Sequence, residues 1–66
     1  MFTYKPLWKL LIDNDMNKTT LKERLNLSSN TMSRLSHNEY VSMATLDALC
    51  TEFNCTPNDI IEHIKE

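Results

Sequence analysis

No glycine occurs anywhere in this 66-residue chain, and proline and cysteine occur only twice each. Without glycine, every left-handed backbone turn falls to a residue that tolerates it less well, and asparagine is the next best. Two cysteines, Cys50 and Cys55, are too few for the disulfide framework of a small secreted protein. They also leave a tetrahedral zinc site two ligands short, and His37 and His63 stand at no metal-like spacing. We therefore expect no metal and no cofactor, and take the thiols as reduced packing groups. No apolar run approaches the roughly 20 residues of a membrane span. The opening Met1-Phe2-Thr3-Tyr4-Lys5-Pro6 lacks the basic start, apolar stretch and small-residue cleavage site of a secretory signal. The expected setting is cytoplasmic, away from membranes. A nucleophile–base–orienter set, a glycine loop and paired carboxylates are all missing, so the expectation is that the chain is not an enzyme.

What remains is an ordinary globular composition, 41% apolar and 24% charged. A chain this short buries only about 60% of the surface its unfolded form exposes, which allows one domain over 1–66 and no deep second core. The net charge of −2 is unevenly spread. Residues 1–37 carry six basic and three acidic side chains, a net +3, while residues 38–66 carry one basic and six acidic, a net −5. One half can thus face phosphates while the other faces solvent or a protein.

Helix starts are written four times in one pattern. A Ser, Thr, Asn or Asp caps the free N–H groups, and an apolar residue just before it packs on another inside the helix. Met16-Asn17 looks to Leu21, Leu27-Ser28 to Met32, Val41-Ser42 to Leu46, and Cys55-Thr56 to Ile60. Pro57 and Asp59 strengthen the last start, and Pro6 opens a first helix running to about Asn14. Asn26, Asn38 and Asn54 follow three helix ends and are expected to take the left-handed conformation. Leu46, Leu49, Cys50 and Phe53 fall on one helical face. Met16, Met32 and Met43 read as core fillers and His63 as a surface residue of the last helix. The expected fold is all-α: five short helices behind an N-terminal arm, residues 1–5, in which Phe2-Thr3-Tyr4 can form a short strand.

The second and third helices, about Lys18 to Leu25 and Ser29 to Ser36, are joined by Asn26-Leu27-Ser28, the short connection of a helix-turn-helix. Met32 and Leu35 make the inner stripe of the third helix, which turns Ser29, Asn30, Ser33 and Arg34 outward. Asparagine and arginine match adenine and guanine edges in the major groove, serine bonds a base or a phosphate, and no acid is present to repel the backbone. The free N–H groups behind the Ser28 cap suit a phosphate oxygen.

The stretch "MNKTTLKERLNLSSNTMSRLSHN", Met16 to Asn38, resembles the helix-turn-helix of phage-repressor-type regulators, the Cro/cI or XRE family. Leu21, Leu25, Leu27, Ser28, Thr31, Met32 and Leu35 fall at that family's core and turn positions, with the motif over about 17–36. "LWKLLIDNDM" resembles its first helix and "VSMATLDALCTEFNCTPNDIIE" its last two, so the likeness covers nearly the whole chain. The resemblance implies a compact five-helix, lambda-repressor-like domain. It implies base contacts from Ser29, Asn30, Ser33 and Arg34, and phosphate contacts from Asn17, Lys18, Ser28, Thr31, Asn38, Tyr40 and Ser42. Three departures stand out. Lys18 replaces a frequent glutamine. Lys22 replaces a small alanine and is expected to reach solvent and loosen the two-helix contact. Leu11 and Ser36 occupy positions where many relatives hold a buried arginine–glutamate pair.

The function implied is a sequence-specific DNA-binding transcriptional regulator, a repressor, that reads a pseudo-palindromic operator as a homodimer with the third helix in the major groove. Phe2, Trp8, Ile12, Ile61 and Ile64 are surplus apolar residues and candidates for the dimer surface. The alternative is a protein-interaction module, antitoxin-like or co-regulatory, that presents the acidic second half of the same fold.

Overall fold

The computed structural model describes residues 1–65. Pro6 sits in the first turn of α1 (Lys5–Asp13), where its missing N–H costs nothing. The next three helices begin where their caps place them. α2 (Lys18–Leu25), α3 (Ser29–Ser36) and α4 (Met43–Phe53) follow Asn17, Ser28 and Ser42. Each cap oxygen accepts the N–H of a threonine three residues on, from Thr20 at 2.8 Å, Thr31 at 3.1 Å and Thr45 at 3.1 Å.

The helix ends are equally uniform. Asp15, Asn26, Asn38 and Asn54 have φ of 57°, 52°, 57° and 49°, so the three expected asparagines are joined by an aspartate. At each, the next N–H closes back five residues: Met16 to Leu11 O, Leu27 to Lys22 O, Glu39 to Arg34 O and Cys55 to Cys50 O, at 2.8 to 3.0 Å. This is the Schellman ending, made here without glycine. Asp15-Met16-Asn17, Asn26-Leu27-Ser28 and Asn54-Cys55-Thr56 are therefore one connector used three times: a left-handed residue, an apolar residue and a cap. Only the α3–α4 link is longer, with Glu39 and Tyr40 inserted ahead of Val41.

The fifth helix of the sequence reading is not formed. Pro57–Asp59 makes a single 3₁₀ turn, in which Asp59 Oδ2 accepts from the Thr56 backbone and hydroxyl, both at 3.3 Å. The chain then extends into β2 (Glu62–His63), antiparallel to β1 (Phe2–Thr3), with Phe2 opposite His63 and Thr3 opposite Glu62. Thr3 is almost fully buried, and a continuing helix would leave the backbone of β1 without partners. His63 thus lies on a strand, exposed, with its ring edge-on to Phe2 at 5.1 Å. The described residues thus form a mainly helical fold of four helices closed by a two-stranded sheet.

Leu7 and Leu11 of α1, Leu21 of α2, Met32 and Leu35 of α3, Leu49 of α4, Ile60 and Tyr4 form the core. Tyr4 also fastens the arm to the α3–α4 loop. Its hydroxyl donates to Glu39 O at 2.7 Å, its N–H donates to Asn38 Oδ1 at 3.2 Å, and burial pushes its phenol pKa up. Met16 and Met32 pack as expected, but Met43 opens the first turn of α4 and is 77% exposed, so it fills no core. Cys50 and Cys55 are free, half-buried and packed against the core at the end of α4. The Cys55 thiol is pushed up first by burial, then by Cys50 and Asp59 beside it.

Candidate nucleic-acid interface

The two-helix unit is built from local rules. Asn17 Oδ1 caps α2 and also accepts from Thr20 Oγ1 at 3.0 Å. Asn26 turns the chain, Leu27 tucks half-buried against the core, and Ser28 restarts it as the cap of α3. Ser28 Oγ further donates to Thr31 Oγ1 at 3.0 Å. Burial of Met32 and Leu35 fixes the rotation of α3, and Ser29, Asn30, Ser33 and Arg34 all come out exposed on its far side. None of the four faces an acid on its own helix.

Among the described residues the Asn30 side chain has no hydrogen-bond partner, while the others are lightly held. Arg34 Nη1 reaches Tyr40 O at 3.4 Å, a long bond that leaves most of the guanidinium fork open. His37 caps the end of α3, donating from Nδ1 to Ser33 O at 2.7 Å. That bond holds its ring beside Ser33, on the same side as the outward face.

α2 adds two ammonium groups to that side. Lys18 Nζ lies 4.4 Å from the centroid of the Trp8 ring and donates to Ser36 Oγ at 3.2 Å. Lys22 does not swing free. It is half-buried, and its Nζ donates to Ser29 Oγ at 2.8 Å, bridging α2 to the first turn of α3. Leu11 is buried, in keeping with packing in place of a charged pair, whereas Ser36 is exposed and serves Lys18. Neither Lys22 nor Ser36 is among the residues expected at the interface. Their signal was in the spacing: Lys18 and Lys22 stand four apart on α2, and Ser29, Ser33 and Ser36 stand four and three apart on α3, one face in each case.

Tyr40 (72% exposed) and Ser42 lie in the α3–α4 loop beyond the end of α3. Asn38 is half-buried, and its Oδ1 is already engaged by the Tyr4 N–H. Of the apolar surface candidates, Phe2 and Ile61 line one groove together with Tyr40, Val41, Met43 and Leu46. Trp8 lies instead beneath Lys18, Ile12 stands 76% exposed at the end of α1, and Ile64 lies next to β2. These five do not share one patch.

Among the described residues no cluster of His, Cys, Asp or Glu could hold a metal ion, and no helix is long and apolar enough to cross a membrane. A model of the Cro/C1-type HTH DNA-binding domain matches residues 6–66. Among solved structures, that of the transcriptional regulator VanUg is 46% identical and superposes with a TM-score of 0.94, over 98% of this chain and 87% of VanUg. No curated protein matches. With its capped two-helix unit and exposed third helix, the chain belongs to the Cro/C1-type helix-turn-helix DNA-binding domain family.

Proposed function

We propose that the protein is a transcriptional repressor that binds a pseudo-palindromic operator as a homodimer, with α3 seated in the major groove. The observation that carries this reading is the outward face of α3. It is acid-free, exposed, and equipped with the side chains that pair with purine edges. Asn30 and Arg34 are assigned as base readers, Ser29 and Ser33 as their neighbours on the groove floor. Asn17, Lys18, Ser28, Thr31, Tyr40 and Ser42 surround them as phosphate contacts, with Asn38 holding the loop that carries Tyr40. A transcriptional regulator of nearly the same structure supports the role. A domain this small presents only roughly 600 to 1,000 Å² to DNA, so a second copy supplies the rest of a regulatory affinity.

Selection from a random DNA pool tests this. A symmetric motif is expected, and Arg34→Ala should weaken binding to it by about 1 to 3 kcal/mol while relaxing preference at one base pair per half-site. Undiminished operator binding by Arg34→Ala would overturn the assignment of the face. Binding that ignores salt and depends on the acidic residues 38–65 would instead favour the protein-interaction module.

A further inference from the structure

Lys22 is the side chain of this interface least explained by packing. It stands on α2 where the helix meets α3, a place at which a small residue would let the two backbones close up. Its stem is half-buried there, and its ammonium emerges at the rim of a shallow groove, 2.8 Å from Ser29 Oγ. On the same groove, Lys18 Nζ reaches Ser36 Oγ at 3.2 Å. Thr19, Ser33 and His37 complete the polar lining, and no carboxylate contributes to it. Among the described residues the single salt bridge is Arg24 to Glu52, so both groove lysines keep their charge uncompensated.

The chemistry of these pairs is one-sided. A lysine has three N–H donors and no acceptor, so a bond to serine leaves two donors over. A serine that accepts from lysine still has its own proton to give. Each Lys–Ser pair therefore points N–H and O–H donors at the groove, and two such pairs present two positive charges to whatever enters. A base edge offers a mixture of donors and acceptors, whereas a phosphate offers acceptors alone and a negative charge. The lysines also stand on the first helix of the unit, the one that crosses the DNA backbone when the second enters the groove.

The geometry points to a seat for a single DNA phosphate between Lys18 and Lys22, with Ser29 and Ser36 as its hydroxyl donors. This inference rests on the DNA-binding reading above and adds Lys22 and Ser36 to it. It also moves Ser29 from base reading to the backbone, where it fixes the register in which Asn30 and Arg34 meet the bases.

The test uses the full chain and a random-sequence duplex of about 30 base pairs, titrated by fluorescence anisotropy at several salt concentrations. Lys22→Met keeps the stem and drops the charge. It should lower the slope of log K against log salt by about 0.9 and weaken binding roughly eightfold at 0.1 M salt, on any sequence. Lys22→Arg should restore most of both, and Lys22→Gln should repeat the loss should the methionine variant melt early. In a double-mutant cycle, Lys18→Met with Lys22→Met should lose less than the product of the single effects, because the two share one anion. An unchanged slope for Lys22→Met, a strictly multiplicative double variant, or a loss confined to a selected operator would each overturn the shared phosphate seat. If the unaltered chain binds no duplex even at low salt, the DNA-binding reading itself falls and this inference goes with it. If that chain binds and only the Lys22 result fails, the reading stands without the seat.

Discussion

Asn26 and Asn38 both turn the backbone into the left-handed region, at φ 52° and 57°, yet their side chains are committed differently. Asn26 is exposed, with no side-chain hydrogen bond among the described residues, whereas Asn38 Oδ1 holds the N–H of Tyr4, thirty-four residues away. Glycine adopts this conformation at no steric cost, while alanine loses about 1 to 2 kcal/mol there. Asn26→Gly should therefore be neutral or slightly stabilising and Asn26→Ala should lose about 1 kcal/mol. At residue 38 the glycine variant should also lose stability, by about 1 kcal/mol or more, because the buried arm is left without its acceptor. Urea unfolding of the three variants would read this directly. Equal behaviour of Asn26→Gly and Asn38→Gly would mean that the Tyr4 contact contributes nothing. Asparagine at helix ends was legible from the absence of glycine; the second task of Asn38 was not, because its partner is distant in sequence. The contact of Lys22 with Ser29 was missed for a related reason. A lysine among helix contacts suggests disruption until the hydroxyl that receives it is known.

Caps and left-handed turns, at the scale of elements, settle nearly every boundary, because both depend on residues within five positions of one another. That is why α2 and α3 fall where their sequences place them and the candidate interface is legible before any coordinates. The last element is different. "TPNDIIEHI" carries a helix-start signal, but the decision between helix and strand rests on Phe2 and Thr3, sixty residues upstream, whose backbone needs a partner. No local pattern contains that information. The same signal does specify how the segment is held, since Ile60 directly follows the 3₁₀ turn and is fully buried in the core. Ile60→Ala should cost about 2 to 4 kcal/mol, a large part of the stability of so small a domain. Ile64→Ala, at a residue 37% exposed beyond β2, should cost far less. Thermal melts in which the two variants drop alike would show that the strand, rather than the buried isoleucine, anchors this end.

For the whole molecule, the basic first half contains α1, α2 and α3, while the acidic second half supplies α4, the 3₁₀ turn and β2. The exposed Arg24–Glu52 pair at 2.8 Å joins the two halves and adds little stability in water. In the proposed complex, charge of one sign would face DNA and the other would face away, which would orient each approach to the duplex. The domain measures 33 × 24 × 18 Å, and its longest dimension is close to the roughly 34 Å between successive turns of one DNA face. Two copies placed one turn apart with that dimension along the duplex would be within touching distance, and copies two turns apart would not. The proposed homodimer then has a geometric consequence. Inserting five base pairs between half-sites rotates one of them to the opposite face of the duplex and separates the copies. Affinity should fall about 100-fold or more, toward that of an isolated half-site, because linked binding is lost while every direct contact to DNA is kept. Gel shifts on operators of native and lengthened spacing, with stoichiometry read from the complexes, check this. Retained affinity on the lengthened operator would mean that the chains bind singly.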